Sequence, residues 1–239
     1  MATMCGRFSL TLPAKTIAEF FLALTLKDVK PRYNIAPSQE VLCILRDVEQ
    51  PGNLAASLRW GLVPSWAKDA KVGNRMTNAR CETISEKPSF RGAFRYRRCI
   101  IPVSGFYEWL RLGKQKQPYY FKPSEKDTPF AFAGLWETWT DSSGAELLTC
   151  TIITTAANAV MSPIHHRMPV ILDPSCFDFW LDLDNRDTRE LQSLLTPCPE
   201  DWILGYPVSN YVSRAGNEGP KCIEPYEDIS YGPEQLELF

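Results

Sequence analysis

The 239 residues, 44% of them hydrophobic and 12% aromatic, suffice for one sizeable core, which argues against a disordered chain and for a single domain. No apolar run approaches the roughly 18 residues that cross a bilayer, and the start MATMCGRFSL lacks the basic lead and long apolar middle of an export signal. A formal net charge of -2 speaks against indiscriminate binding to polyanions, although it says little about any one face.

Eight cysteines are scattered without a CxxC pair, and in a full-sized domain with no export signal they are expected to be reduced thiols. The two histidines, His165 and His166, are adjacent. Neighbours on a strand would point to opposite faces, so no metal and no other cofactor is expected.

In chain order, CGRFSL is expected to be a strand, and Pro13 through Leu24 carries helical apolar spacing with proline in its first turn. PRYNIAPSQE follows as a polar, proline-containing loop, and the β-like runs VLCILR and LAASLRWGL are separated by QPGN. Residues 98–172 form a succession of strands: CIIPV, GFYEWLRL, QPYYFK, FAFAGLWETW, LLTCTIITTA and MPVIL. Gly113 with its lysines and the DSSG before Ala145 mark hairpin turns. Helices are expected around CFDFWLDL and RDTRELQSLL, and a last strand near ILGYPVS. The fold class is therefore α+β: one domain over residues 4–223, with a mixed, mostly antiparallel, curved or barrel-like sheet and peripheral helices. Residues 224–239 form an extended C-terminal tail.

The start MCGRF together with NIAPSQ, WGLVPSWA, TNARCET, FYEW, TTAAN, IHHRMPVIL and PVS, in that order, resembles the SOS response-associated peptidase family, also called the SRAP domain. The resemblance spans about residues 4–223 and implies a mature protein that begins at cysteine. It further implies an active site of residues matching Cys5, Asn78, Glu108 and His165. An N-terminal cysteine is a 1,2-aminothiol: its amine forms a Schiff base with an aldehyde, and its thiol then closes a thiazolidine ring. Its α-amine titrates at about 7.7–8.0 and is partly a neutral nucleophile at pH 7. The implied function is covalent capture of abasic sites in single-stranded DNA by Cys5, after removal of the residues before it. In this role Glu108 serves as acid and base, His165 as proton shuttle and Asn78 as a neutral hydrogen-bonding group. The alternative is an N-terminal-nucleophile cysteine peptidase acting on itself or on other proteins. Read without the family, Glu108 between Tyr107 and Trp109 suits a solvent-facing strand position, His165 a surface loop and Asn78 a turn.

The family likeness also implies a DNA cleft formed by Arg7, Asn34, Pro37, Arg80, Trp109, Thr154 and Arg167, and an apolar wedge at Trp66 against the last base pair of a single-strand/duplex junction. A second, independent candidate is the run FRGAFRYRRC, where Arg91, Arg95, Arg97 and Arg98 alternate with Phe94 and Tyr96. The terminal QLELF (Gln235, Leu236, Leu238 and Phe239) resembles the pentapeptide that docks into the bacterial sliding clamp. A cytoplasmic, nucleoid-associated monomer with no membrane partner is expected. Met1, Ala2 and Thr3 precede the usual MC start, so either initiation at Met4 or self-cleavage must free Cys5.

Overall fold

The computed structural model describes residues 5–23, 26 and 29–226. Strand β1 (Phe8–Leu10) leads into helix α1 (Ala14–Phe21). Pro13 stands at the N-cap, where a missing N–H is harmless, and Leu22 at φ 50° turns left-handed and ends the helix. The helix is therefore shorter than the expected Pro13–Leu24, and Leu24 lies outside the described residues. Ile17 and Phe21, one turn apart, are its buried stripe.

The expected loop after it is a second correction: β2 (Arg32–Ile35) pairs antiparallel with β1, Phe8 opposite Ile35. Without this partner one edge of β1 would present unpaired backbone groups. The hairpin of β3 (Glu40–Arg46) and β4 (Asn53–Trp60) turns through Gly52 at φ 129°. Then come β5 (Asn78–Arg80), α2 (Arg91–Tyr96) and β6 (Arg98–Val103). β7 (Gly105–Leu112), β8 (Gln115–Pro123), β9 (Phe130–Thr140) and β10 (Glu146–Ala156) follow as hairpins. The last elements are β11 (Arg167–Pro169), α3 (Phe177–Leu181), α4 (Thr188–Ser193) and β12 (Ile203–Pro207).

The strands make an α+β domain with a closed barrel at its centre. β4, β3, β6, β9 and β10 join in a ring, shut by antiparallel pairing of β9 with β10 and parallel pairing of β10 with β4. Beyond the ring, β10 continues between β5 and β11. A second, antiparallel sheet runs β12-β8-β7-β1-β2. The two meet through packed rings: Phe106 and Phe121 of the open sheet stack 5.3 Å apart, and Phe106 meets Phe132 of the barrel edge to face at 5.6 Å. Burying each such ring contributes about 2–3 kcal/mol. The other face of the open sheet packs Tyr107 and Tyr120 against Val208, Val212 and Cys222. Gly105 permits this, because a Cβ there would sit 2.3 Å from the Tyr120 ring, whose hydroxyl lies 2.8 Å from Ser9 Oγ. Pairing reaches past β12, since Pro225 bridges to Val208 and the Tyr226 N–H donates to Pro207.

The arginine run is not a uniform basic surface. Arg98 is buried and its guanidinium donates to the carbonyls of Trp180, Phe94, Arg95, Asp182 and Asn185, tying α3 and its following turn to β6. Burial lowers its pKa to about 10, so it stays charged. Arg97 pairs with Glu137 at 2.7 Å, which leaves only Arg91 and Arg95 of the four exposed and unpaired by any acid among the described residues. All eight cysteines are free thiols. Among the described residues, no helix is long and apolar enough to cross a membrane.

Candidate active site

Phe8 opposite Phe106 sets the register between β1 and β7, and running back from Phe8 brings the chain level with Glu108. There the Cys5 backbone nitrogen donates to Glu108 Oε1 at 2.6 Å, a buried contact spanning 103 positions of sequence. Cys5 is 1% exposed and Glu108 5%. Cys5 also has φ 39°, a left-handed conformation that costs a non-glycine residue about 1–2 kcal/mol. Glu108 is held from the other side by pairing with Tyr119 of β8. Desolvation pushes its carboxyl up to about 7, against the opposing pull of the Cys5 and Trp109 N–H groups. Burial, and secondarily the Glu108 charge, pushes the Cys5 thiol well above its usual range.

Three of the expected DNA contacts cluster beside this pair. Arg7 Nη1 donates to Asn34 Oδ1 at 2.7 Å and to the Val212 carbonyl at 3.0 Å, and its guanidinium lies 5.9 Å from the Trp109 ring centre. Asn34 itself is fully buried, and its amide donates to the carbonyls of Val212, Arg214 and Asn217. Its place is thus to position Arg7 rather than to meet a ligand. Trp109 is half-buried, with its indole N–H donating to Ser213 Oγ.

The remaining expected residues sit where β10 extends beyond the barrel. Asn78 and Arg80 of β5 lie opposite Ile152 and Thr154, and Thr154 faces Pro169 of β11 on its other side. Asn78 is half-buried, with its amide 3.4 Å from Thr77 Oγ1, and Arg80 is exposed. Thr154 is fully buried and Arg167 nearly so. Arg167 holds Glu82 with both terminal nitrogens and donates to the Thr154 carbonyl at 2.7 Å. Thr154 and Arg167 therefore hold this part of the fold together, and Glu82, whose carboxyl Arg167 lowers, is a member of this group that lies within TNARCET but is not among the expected site residues.

His165 lies in the turn before β11, not on a strand, so the expectation of opposed side chains fails: its ring stacks on His166 with centres 4.5 Å apart. Its Nδ1 lies 3.1 Å from the Arg167 backbone nitrogen and 3.3 Å from the Arg167 carbonyl oxygen, so the Arg167 backbone holds the ring in place. Desolvation lowers its pKa, and the charge of Arg111, at the far end of β7, lowers it further. Among the described residues, no three His, Cys, Asp or Glu side chains stand together as metal ligands.

Trp66 is 62% exposed on the loop between β4 and β5. Gly61 and Gly73 cross at the base of that loop so closely that a Cβ on Gly73 would sit 2.4 Å from the Gly61 oxygen. Trp139 clasps the loop by donating its indole N–H to the Ala67 carbonyl at 2.7 Å. Pro37 is half-buried in the turn between β2 and β3. Residues 1–4 and the tail residues Gln235, Leu236, Leu238 and Phe239 lie outside the described residues.

Comparison with known proteins finds relatives over most of the chain. The chain is 47% identical over 227 residues to the abasic site processing protein YoqW of Bacillus subtilis, across 93% of this chain and all of that protein. It is 35% identical to the abasic site processing protein HMCES of Gallus gallus, covering 83% of this chain and 67% of that protein. A crystal structure of a protein from Bacteroides thetaiotaomicron superposes with TM-score 0.83 and 28% identity, covering 93% of this chain and all of that one. Residues 4–215 match the SOS response associated peptidase (SRAP) domain as a whole, and the chain belongs to that family.

Proposed function

We propose that this protein processes abasic sites in single-stranded DNA by covalent capture, with Cys5 as the N-terminal residue of the active form. The observation that carries the reading is the 2.6 Å contact between the Cys5 nitrogen and the buried Glu108 carboxyl. Loss of Met1 to Met4 converts that nitrogen from an amide into an amine at the same place. It also removes the left-handed φ of Cys5, because a terminal amine has no such dihedral.

The ring-opened abasic sugar presents an aldehyde carbon. Attack by the neutral amine forms a carbinolamine, which loses water to give an imine, and the Cys5 sulfur then adds to the imine carbon as its proton passes to the nitrogen. The product is a thiazolidine and one water. The Glu108 carboxyl, buried and in contact with that nitrogen, is placed for both proton transfers, taking one from the ammonium and giving one to the leaving water. His165, whose pKa burial lowers and whose Nδ1 side the Arg167 backbone holds, is suited to exchange a proton with a sugar oxygen. Arg7 stacked beside Trp109, together with the exposed Arg80, supplies cation and ring for the strand. The names of the relatives, abasic site processing proteins, agree with this reading.

The test mixes purified protein, its N-terminus first read by mass spectrometry, with a uracil-containing single strand treated with uracil glycosylase. A denaturation-resistant adduct is expected from a chain that begins at Cys5 and none from Cys5→Ala. An active protein that retains Met4 would overturn the reading. For the tail, deletion of residues 235–239 is expected to abolish co-elution with a bacterial sliding clamp while adduct formation continues.

A further inference from the structure

One face of the open sheet continues past the site without an assigned role. Trp109 and Arg111 are two apart on β7 and share a face, and pairing of β7 with β8 sets Arg111 directly opposite Lys116. Like charges facing each other across a ladder destabilise a hairpin. Yet Arg111, Lys114 and Lys116 are all exposed, and none of them enters any of the four ion pairs among the described residues.

A cleft of about 620 Å³ opens beside this cationic ribbon, lined by Lys114, Lys116, Gln117, Ser209, Asn210 and the 41% exposed ring of Tyr226. Among the described residues, no carboxylate lines it. Asn210 also hydrogen-bonds Ser213, the residue that receives the Trp109 indole N–H, so the cleft and the Arg7–Trp109 pair share one loop.

From this we infer that the β7–β8 hairpin and its cleft form a second binding stretch for the single strand, with Arg111, Lys114 and Lys116 on successive phosphates and a base stacked on Tyr226. Repulsion between Arg111 and Lys116 would be relieved by the polyanion between them, and an aromatic beside lysines is the pairing that holds single strands without reading their sequence. The inference rests on the site being one for single-stranded DNA. It extends that site by a track running from Trp109 to the hairpin tip.

The experiment measures fluorescence anisotropy of an unmodified single strand of about 20 nucleotides over a range of salt, long enough to span both stretches. Proteins compared are the unsubstituted chain, K114Q/K116Q, Y226A and, as a charge control at the other end of β8, K126Q. Loss of two phosphate contacts is expected to weaken binding about tenfold at low salt and to flatten the log–log salt slope by about 1.4. Y226A is expected to lower affinity with the slope unchanged, and K126Q to match the unsubstituted protein. Equal affinity and slope for K114Q/K116Q and the unsubstituted protein would overturn the inference.

Residues 227–239 include Glu227, Asp228, Glu234 and Glu237 and follow directly on Tyr226. The same measurement on a chain ending at Tyr226 therefore decides whether the lysines serve DNA or this acidic segment. Persistence of the K114Q/K116Q defect supports the DNA track, and its disappearance overturns it. Failure of the unsubstituted protein to capture abasic DNA, measured separately, would refute the covalent reading and leave this binding result to be judged alone.

Discussion

Glu108 and Glu137 are both buried strand glutamates, 5% and 8% exposed, and their surroundings differ in one respect. Glu137 meets the Arg97 guanidinium at 2.7 Å and accepts the Thr138 N–H, so its charge is balanced where β9 passes α2. Among the described residues, Glu108 meets only neutral N–H donors, and it is pushed up to about 7. A buried carboxyl left among neutral donors can exchange its proton near neutral pH. The same division separates Arg167, clasped by Glu82, from Arg7, balanced only by an amide, a carbonyl and a ring.

Substitution breaks the comparison most sharply at Glu108. Glu108→Gln is expected to slow adduct formation about 100-fold or more in a single-turnover gel assay, whereas Glu137→Gln should leave the rate within about twofold. A next effect appears in stability against pH, in the form that still carries residues before Cys5. The Glu108 value is raised on folding, so the protonated form is favoured and stability is complete below about 4.5. It is lost as pH rises to about 7, by about 3 kcal/mol in total. Glu108→Gln should flatten that part of a denaturant-derived stability curve, and an unaltered slope would contradict the assignment.

Glu137→Gln is expected to lower stability by about 2 kcal/mol at pH 7 by leaving Arg97 without its anion, measured from the urea midpoint. The smallest change in stability is expected at Trp66→Ala, within about 0.5 kcal/mol because the ring is exposed. Its effect should instead be a several-fold preference lost between a single-strand/duplex junction and a plain single strand, read by competition binding. Trp139→Phe, which removes the indole N–H from Ala67, should loosen the loop and lower the same preference in part.

Much of the fold could be read along the chain because its hairpins are local. Gly113 at φ 60°, Gly144 at φ 87° and the Asp141 carboxylate that caps the latter turn are short-range chemistry, and each lies where a hairpin was expected. β2 was hidden because NIAPSQ carries turn-forming residues, and only the distant edge of β1 makes a strand of it. Closure of the barrel was equally invisible, since parallel pairing of β10 with β4 joins residues about ninety positions apart. At the site, family motifs pointed to Cys5, Glu108 and His165, but no local pattern announces that a carboxyl at 108 will receive the nitrogen of residue 5. Burial of Asn34, Thr154 and Arg98 was missed for a common reason: polarity suggests exposure until the partners that satisfy it are known.

The enclosed position of the Cys5 sulfur has a consequence for durability. Peroxide and alkylating agents attack thiolates, and a thiol walled off from solvent and held protonated offers them little. The nitrogen beside it, in contrast, is already primed by a proton-exchanging carboxyl. On the reading proposed above, such a centre resists oxidants and discharges its sulfur only into an aldehyde that has first condensed with its neighbour.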